Sequence, residues 1–375
     1  MIHIRRLTVL ALTTLVLTAC GSDRSEGSKA AAVDDPARKA AMIAARQRFF
    51  GAENVDPRTG GLAADEVHMV WVSVSTFAVN LAGHMVLFDA YIHKEEDGPA
   101  YVPATTQDLI DLAPEFVFLG HGHFDHALDG GAIAAATGAT VVGTQAHCDQ
   151  ALAQAGTEIR CVALFQPDEP NGAVRSTDVL PGVCTLAVLH QHSDAVPPDP
   201  TRDVTNIAPL PIPSANTLLL HPPGPSVKFD ATGDEGGDVI YQFRVGHFAL
   251  TYHDTAGPVE HNGLDVYEVL RHLPKTDVQN GSVVGFNMPT NGMRDHAQYV
   301  DAINPKIFVP NHQDFVYEYG ASEWIRAALE AELESYAARP EMRWLTDPQD
   351  YLKANYLKFK VGDTRWIDDE APCSR

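Results

Sequence analysis

Apolar and polar positions alternate along the chain in a way that separates short strand-like runs from helical ones. Residues 37–50 (ARKAAMIAARQRFF) are rich in Ala and Arg and predict a helix. Residues 67–79 are β-branched and aromatic. A second apolar run, 84–88, follows the turn-like pair Ala82-Gly83, and the two together predict a hairpin. The pattern next predicts a short helix over 107–112, a buried strand over 116–119, a helix over 127–136 and a strand over 140–142. Later strand candidates are 183–189, a hairpin of 239–244 with 247–252 around Val245-Gly246, and a short run at 307–310. Residues 323–336 predict a helix and 357–361 a last strand. Strands alternating with helices predict an α/β layered domain. Residues 194–237 interrupt the pattern with nine of the chain's 25 prolines. A loop of that length in a compact domain is expected to be functional or disordered, and a lid or pocket wall if the chain carries the chemistry set out below.

The first 20 residues read as an address. Arg5 and Arg6 precede an apolar core over 7–17, too short to span a bilayer comfortably. Leu17-Thr18-Ala19-Cys20 resembles the bacterial lipobox, which implies lipidation at Cys20. Residues 21 to about 36 are Gly, Ser, Ala and Asp, the composition of a tether. The expected location is therefore extracytoplasmic, lipid-anchored to a bacterial membrane at the periplasm or cell surface.

Composition narrows the field. With 375 residues, 45% hydrophobic and 20% charged, the chain can bury a sizeable core and is not disordered as a whole. A net charge of −22 repels phosphate backbones, so nucleic acid is not an expected partner. Setting Cys20 aside leaves Cys148, Cys161, Cys184 and Cys373. None has a metal-finger spacing, and the three possible pairings stay open.

The 17 histidines cluster. His121, His123, Asp125 and His126 follow an apolar strand and precede a helix, in the stretch LGHGHFDHALDGG. Packing alone does not account for three imidazoles and a carboxylate there, since each would need a buried hydrogen-bond partner. Metal ligation does, and it needs further ligands. Three later strand exits offer them: His190-Gln191-His192-Ser193, His253-Asp254-Thr255, and Asn311-His312. His68, His84, His93, His147, His247, His272 and His296 are expected at the surface or in turns. His221 and His261 are candidates to contact substrate.

These residues resemble the metallo-β-lactamase superfamily, and within it the group that includes ascorbate-6-phosphate lactonase. His121-Gly-His123-Phe-Asp125-His126 is similar to the HxHxDH motif. Residues 70–77 with 86–89 resemble that group's opening hairpin. Tyr252-His253-Asp254-Thr255 resembles the GDT segment with His253 in place of glycine, and residues 304–312 resemble the closing segment. The resemblance covers roughly residues 66–315. It implies an αββα four-layer sandwich and a metallo-β-lactamase-like domain over 65–320. Before it come the signal over 1–20 and a tether and helix over 21–64. A C-terminal helix and tail over 321–375 follow.

The resemblance also implies two divalent metal ions, zinc first, with Mn2+ or Fe2+ as alternatives. His121, His123 and a histidine at 190 or 192 would hold the first ion. His192 is favoured because Ser193 follows it. Asp125, His126 and His312 would hold the second, with Asp254 shared, and Asp89 would orient a ligand from behind. The implied activity is hydrolysis of an ester, lactone, amide or phosphodiester by a metal-bridging hydroxide, with Asp125 as the catalytic carboxylate. The substrate would be a small or lipid-derived molecule. Two other readings stay in play: a non-catalytic metal-binding surface lipoprotein that keeps the fold, and transition-metal redox chemistry.

Overall fold

The computed structural model describes residues 35–92, 104–193, 236–259, 264–313, 321–345 and 356–373. The signal segment with Cys20, the tether to residue 34, nearly all of the proline-rich stretch, and His93, His221 and His261 lie outside the described residues.

Helix α1 (Pro36–Phe50) starts where the Asp35 carboxylate accepts the Ala37 N–H and Pro36 fits the first turn. Strands β1 (Glu66–Ser73), β2 (Thr76–Leu81) and β3 (His84–Phe88) form an antiparallel meander. The single run expected over 67–79 is thus two strands. The chain reverses at Val74-Ser75, where Val74 takes a left-handed φ of 48° that no local residue signals. Next come α2 (Thr106–Asp111), β4 (Phe116–Phe118), α3 (Phe124–Ala127), α4 (Gly130–Thr137), β5 (Thr140–Thr144), α5 (Gln145–Ala155) and β6 (Arg160–Phe165). Pairing from β3 through β6 is parallel. The next stretch comprises β7 (Val174–Thr177), β8 (Cys184–His190), β9 (Asp238–Val245), β10 (Phe248–His253), α6 (Leu264–Arg271), β11 (Val278–Ser282), α7 (Met288–Asn291), α8 (Arg294–Ile303), β12 (Ile307–Asn311), α9 (Ala321–Leu333) and β13 (Glu341–Met342). Strand β14 (Tyr356–Lys360) returns to pair with β1. The two seven-stranded sheets run β14-β1-β2-β3-β4-β5-β6 and β13-β12-β11-β10-β9-β8-β7.

Period-two alternation builds the layers. Val67, Met69 and Trp71 of β1 enter the core between the sheets, whereas Val70 and Val72 face the helices on the outer side. Phe88 stacks on Phe243 and Tyr252 of the opposite sheet, with ring centroids 5.3 and 4.6 Å apart. Each such pair contributes about 0.5–1.5 kcal/mol beyond area burial. Phe49 and Phe50 of α1, Leu109 of α2, Ile133 of α4 and Ala151 of α5 cover the first sheet. Val266 and Leu270 of α6, Tyr299 and Ile303 of α8, and Ile325 and Leu329 of α9 cover the second. The fold is α/β with the layer order helix, sheet, sheet, helix, as the resemblance implies. All four open cysteines pair, Cys148 with Cys161 and Cys184 with Cys373. Among the described residues no helix is long and apolar enough to cross a membrane.

Candidate metal centre

The strands that carry the chemistry all end at one edge of the sandwich. Phe118 of β4 faces the inter-sheet core, and the chain then leaves the strand through Gly120 into His121. A Cβ at Gly120 would lie 2.1 Å from Asp254 Oδ2, so only glycine lets the two sheets meet here. On β10, Phe248, Leu250 and Tyr252 point inward, and Asp254 continues that parity just past the strand end. On β12, Ile307 and Val309 point inward, and His312 follows the strand in a left-handed conformation at φ 62°.

His121, His123 and His192 bring one ring nitrogen each within 4.8 Å of one another, and a carboxylate oxygen of Asp125 gathers equally closely with one ring nitrogen each of His126 and His312. His121 Nε2 and His123 Nδ1 are 3.0 Å apart. That is close to the separation of two nitrogens on one zinc with bonds of about 2.0–2.1 Å. His126 Nε2 and His312 Nε2 lie 3.4 and 3.3 Å from Asp125 Oδ2. Asp254 joins the two groups: its Oδ2 is 2.8 Å from His121 Nδ1 and 3.2 Å from His126 Nδ1. Its other oxygen is buried and has no hydrogen-bond partner among the described residues. A divalent cation fits such a donor set, because converging imidazoles and an orphaned carboxylate oxygen are otherwise costly to bury.

Burial and charge prepare the two groups differently. Burial drags the His121 imidazole down to about 3, against the pull of Asp254. Burial, with His192 and His121 nearby, lowers His123 well below its ordinary range. Both rings are therefore neutral, the form that ligates metal. For His126 burial acts downward too, but the Asp125 and Asp254 carboxylates outweigh it and hold the ring well above its ordinary value. Burial raises Asp125, yet His126 and His312 keep it well below the usual carboxylate range. Burial and the neighbouring Asp254 push the Asp89 carboxyl up to about 7.

Every candidate ligand except one alternative reaches the site. His192 joins the first group and His190 does not. Strand parity explains the difference: Leu189 faces the inter-sheet core, so His190 turns to the helix layer, where its Nδ1 is 3.0 Å from the Tyr299 hydroxyl. His192 lies beyond the strand end and is freed from that alternation. His253, in the glycine place of the GDT-like segment, also turns outward. Its Nε2 is 2.8 Å from Gln279 Nε2, in space that Gly281 leaves. Asp89 holds the position expected of it, 2.7 Å from His126 Nδ1, with its Oδ1 accepting the Gly120 N–H.

Several histidines expected at the surface are buried instead. His68 pairs with Glu66 at 2.9 Å, His147 closes a capping box with Thr144 at the start of α5, and His296 Nδ1 meets the Ser282 carbonyl at 3.0 Å. Each has a private polar partner that the linear sequence does not announce. Ser75 and Gly120 are site residues that sequence reasoning missed. A serine inside an apolar run and a glycine after a strand carry no local signal of what they touch.

No protein-family model matches the chain. Over 74 residues it is 36% identical to a metal-dependent hydrolase of Pyrobaculum aerophilum, a match covering 20% of this chain and 31% of that relative. The chain thus spans less than a third of the curated relative's length. Among solved structures it is similar to Igni18, a metallo hydrolase from Ignicoccus hospitalis, with TM-score 0.48 and 16% identity over 78% of this chain and 98% of that one. It is also similar to the metallo-β-lactamase fold protein YhfI of Bacillus subtilis, with TM-score 0.44 and 11% identity over 79% and 100% of the two chains.

Proposed function

We propose that the chain is a metal-dependent hydrolase of metallo-β-lactamase type, with His121, His123 and His192 holding one ion and Asp125, His126 and His312 the other. The observation that carries this reading is the meeting of two ligand triads from separate strand exits, with Asp254 in contact with one histidine of each. Two divalent cations bound there supply Lewis acidity that activates water and polarises a substrate oxygen. Zinc suits the nitrogen-rich donors, with manganese or iron as the alternatives to test. Asp125, whose Oδ2 faces His126 and His312 within the second triad, takes the role of orienting the attacking water and accepting its proton. Asp254 and Asp89 keep His121 and His126 turned toward their ions. The scissile bond is an ester, lactone, amide or phosphodiester in a small or lipid-derived molecule.

The proposed location is outside the cytoplasm, tethered to a bacterial membrane through a lipid on Cys20. The two disulfides support an oxidising compartment. Metal analysis combined with a chromogenic panel of esters, lactones, amides and phosphodiesters tests the activity. Wild-type protein is expected to bind about two zinc per chain and turn over at least one substrate class, and Asp125→Ala to lose orders of magnitude in rate while folding normally. Two bound zinc without turnover would favour the non-catalytic binding protein, and unchanged rates in Asp125→Ala would remove this centre from the mechanism.

A further inference from the structure

The reversal between β1 and β2 is more than a connection. Ser75 Oγ lies 2.6 Å from Asp89 Oδ2 and 2.7 Å from His126 Nδ1. The neighbouring carbonyl of Val74 accepts the His312 N–H at 3.0 Å and the Trp71 indole N–H at 2.9 Å. Two consecutive residues of this turn therefore meet His126, on α3, and His312, just past β12, and both histidines belong to the same triad. The backbone is unusual at both ends of the Val74–His312 bond. Val74 has φ 48° and His312 φ 62°, and a β-branched residue in that region is rare and costly. Val74 is fully buried against Tyr91 and Phe124, so packing holds it there.

We infer that the Val74-Ser75 turn is the positioning element of the Asp125–His126–His312 triad, with Ser75 as its positioning residue. This rests on the metal-centre reading above. The hydrogen-bond arithmetic runs through one oxygen. The Ser75 hydroxyl donates to Asp89 and accepts from the His126 ring. Together with Asp89 Oδ2 at 2.7 Å and Asp254 Oδ2 at 3.2 Å from the same nitrogen, the hydroxyl keeps a proton on Nδ1 and turns Nε2 toward Asp125 and His312. The Val74 carbonyl fixes the backbone from which His312 projects. The contacts of Ser75 and Val74 described above fall on His126 and His312, so the larger effect is expected at that site.

Zinc titration of chelator-stripped protein against a competing chromophoric chelator tests the inference. Two variants are compared with wild type. Ser75→Ala removes the hydroxyl, and Ser75→Cys keeps the volume with only a weak hydrogen-bonding group. The melting temperature of each stripped protein serves as the folding control. Both variants are expected to retain one zinc at wild-type affinity and to bind the second about 10- to 100-fold more weakly. Equal binding of both ions by either folded variant and wild type would overturn the positioning role and leave the centre intact. A wild-type protein that takes up no zinc would overturn the centre, and this inference with it.

Discussion

Two groups of histidines share this molecule and differ in where their nitrogens point. At the open edge of the sandwich, His121, His123, His126, His192 and His312 aim at one another and at Asp125 and Asp254. Behind the second sheet, His190, His253 and His296 each face a separate partner: the Tyr299 hydroxyl, the Gln279 amide and the Ser282 carbonyl. His121, His123 and His126 are as buried as His190, His253 and His296, while His192 and His312 are half-buried, so burial does not by itself sort the two groups. Convergence separates ligand from structural histidine, and it arises where strands end. Within a strand, alternation assigns each side chain to a face. Beyond the last ladder bond that constraint lapses, and side chains from several strands can gather on one point.

The pair on either side of the β8 terminus offers the sharpest way to break this contrast. On the proposed two-metal reading, His192→Ala is expected to weaken one site by about 10–100-fold, and His190→Ala to leave the bound-metal count at the wild-type value. Zinc counts by elemental analysis check both, and a His190 variant that drops an ion would erase the distinction. A smaller effect is expected for His296→Ala. Losing the bond to Ser282 is predicted to cost about 1–3 kcal/mol of stability, read from urea midpoints, with metal binding unchanged.

A further test is a slope in pH. Burial holds His296 down to about 3 and His253 down to about 4, so both stay neutral in the folded protein at mildly acidic pH. The unfolded chain takes up those protons near about 6.5. Stability from these groups is therefore present above about 6.5 and is lost as pH falls toward about 3–4. Urea midpoints measured across that range should decline less steeply in His296→Gln than in wild type, and parallel declines would dismiss the role of that ring.

The sequence made some of this legible and hid the rest for physical reasons. Strands β1, β3, β8, β9 and β10 announce themselves because both of their faces are covered, which demands long apolar runs. Strand β11 (VQNGS) is equally buried but polar. Gln279 reaches His253, and Asn280 donates to the Val309 carbonyl and accepts from Asn311. A central strand stabilised by amide side chains leaves no hydrophobic trace. Helix α8 hides likewise, burying Arg294, Asp295, His296 and Gln298. At the site, the HxHxDH cluster stands out because its members are neighbours in sequence. The choice between His190 and His192 depended on where β8 ends, which spacing does not reveal. Ser75 and Gly120 matter through what lies across the seam from them.

The bond between Cys184 and Cys373 turns the second half of the polypeptide into a covalent ring. His192, Asp254 and His312 sit on this ring, while the HxHxDH cluster sits on the linear part before it. A single protease cut anywhere between those cysteines opens the ring but releases no fragment. Such a nicked protein would migrate as one species on a gel until a reductant separated it into two.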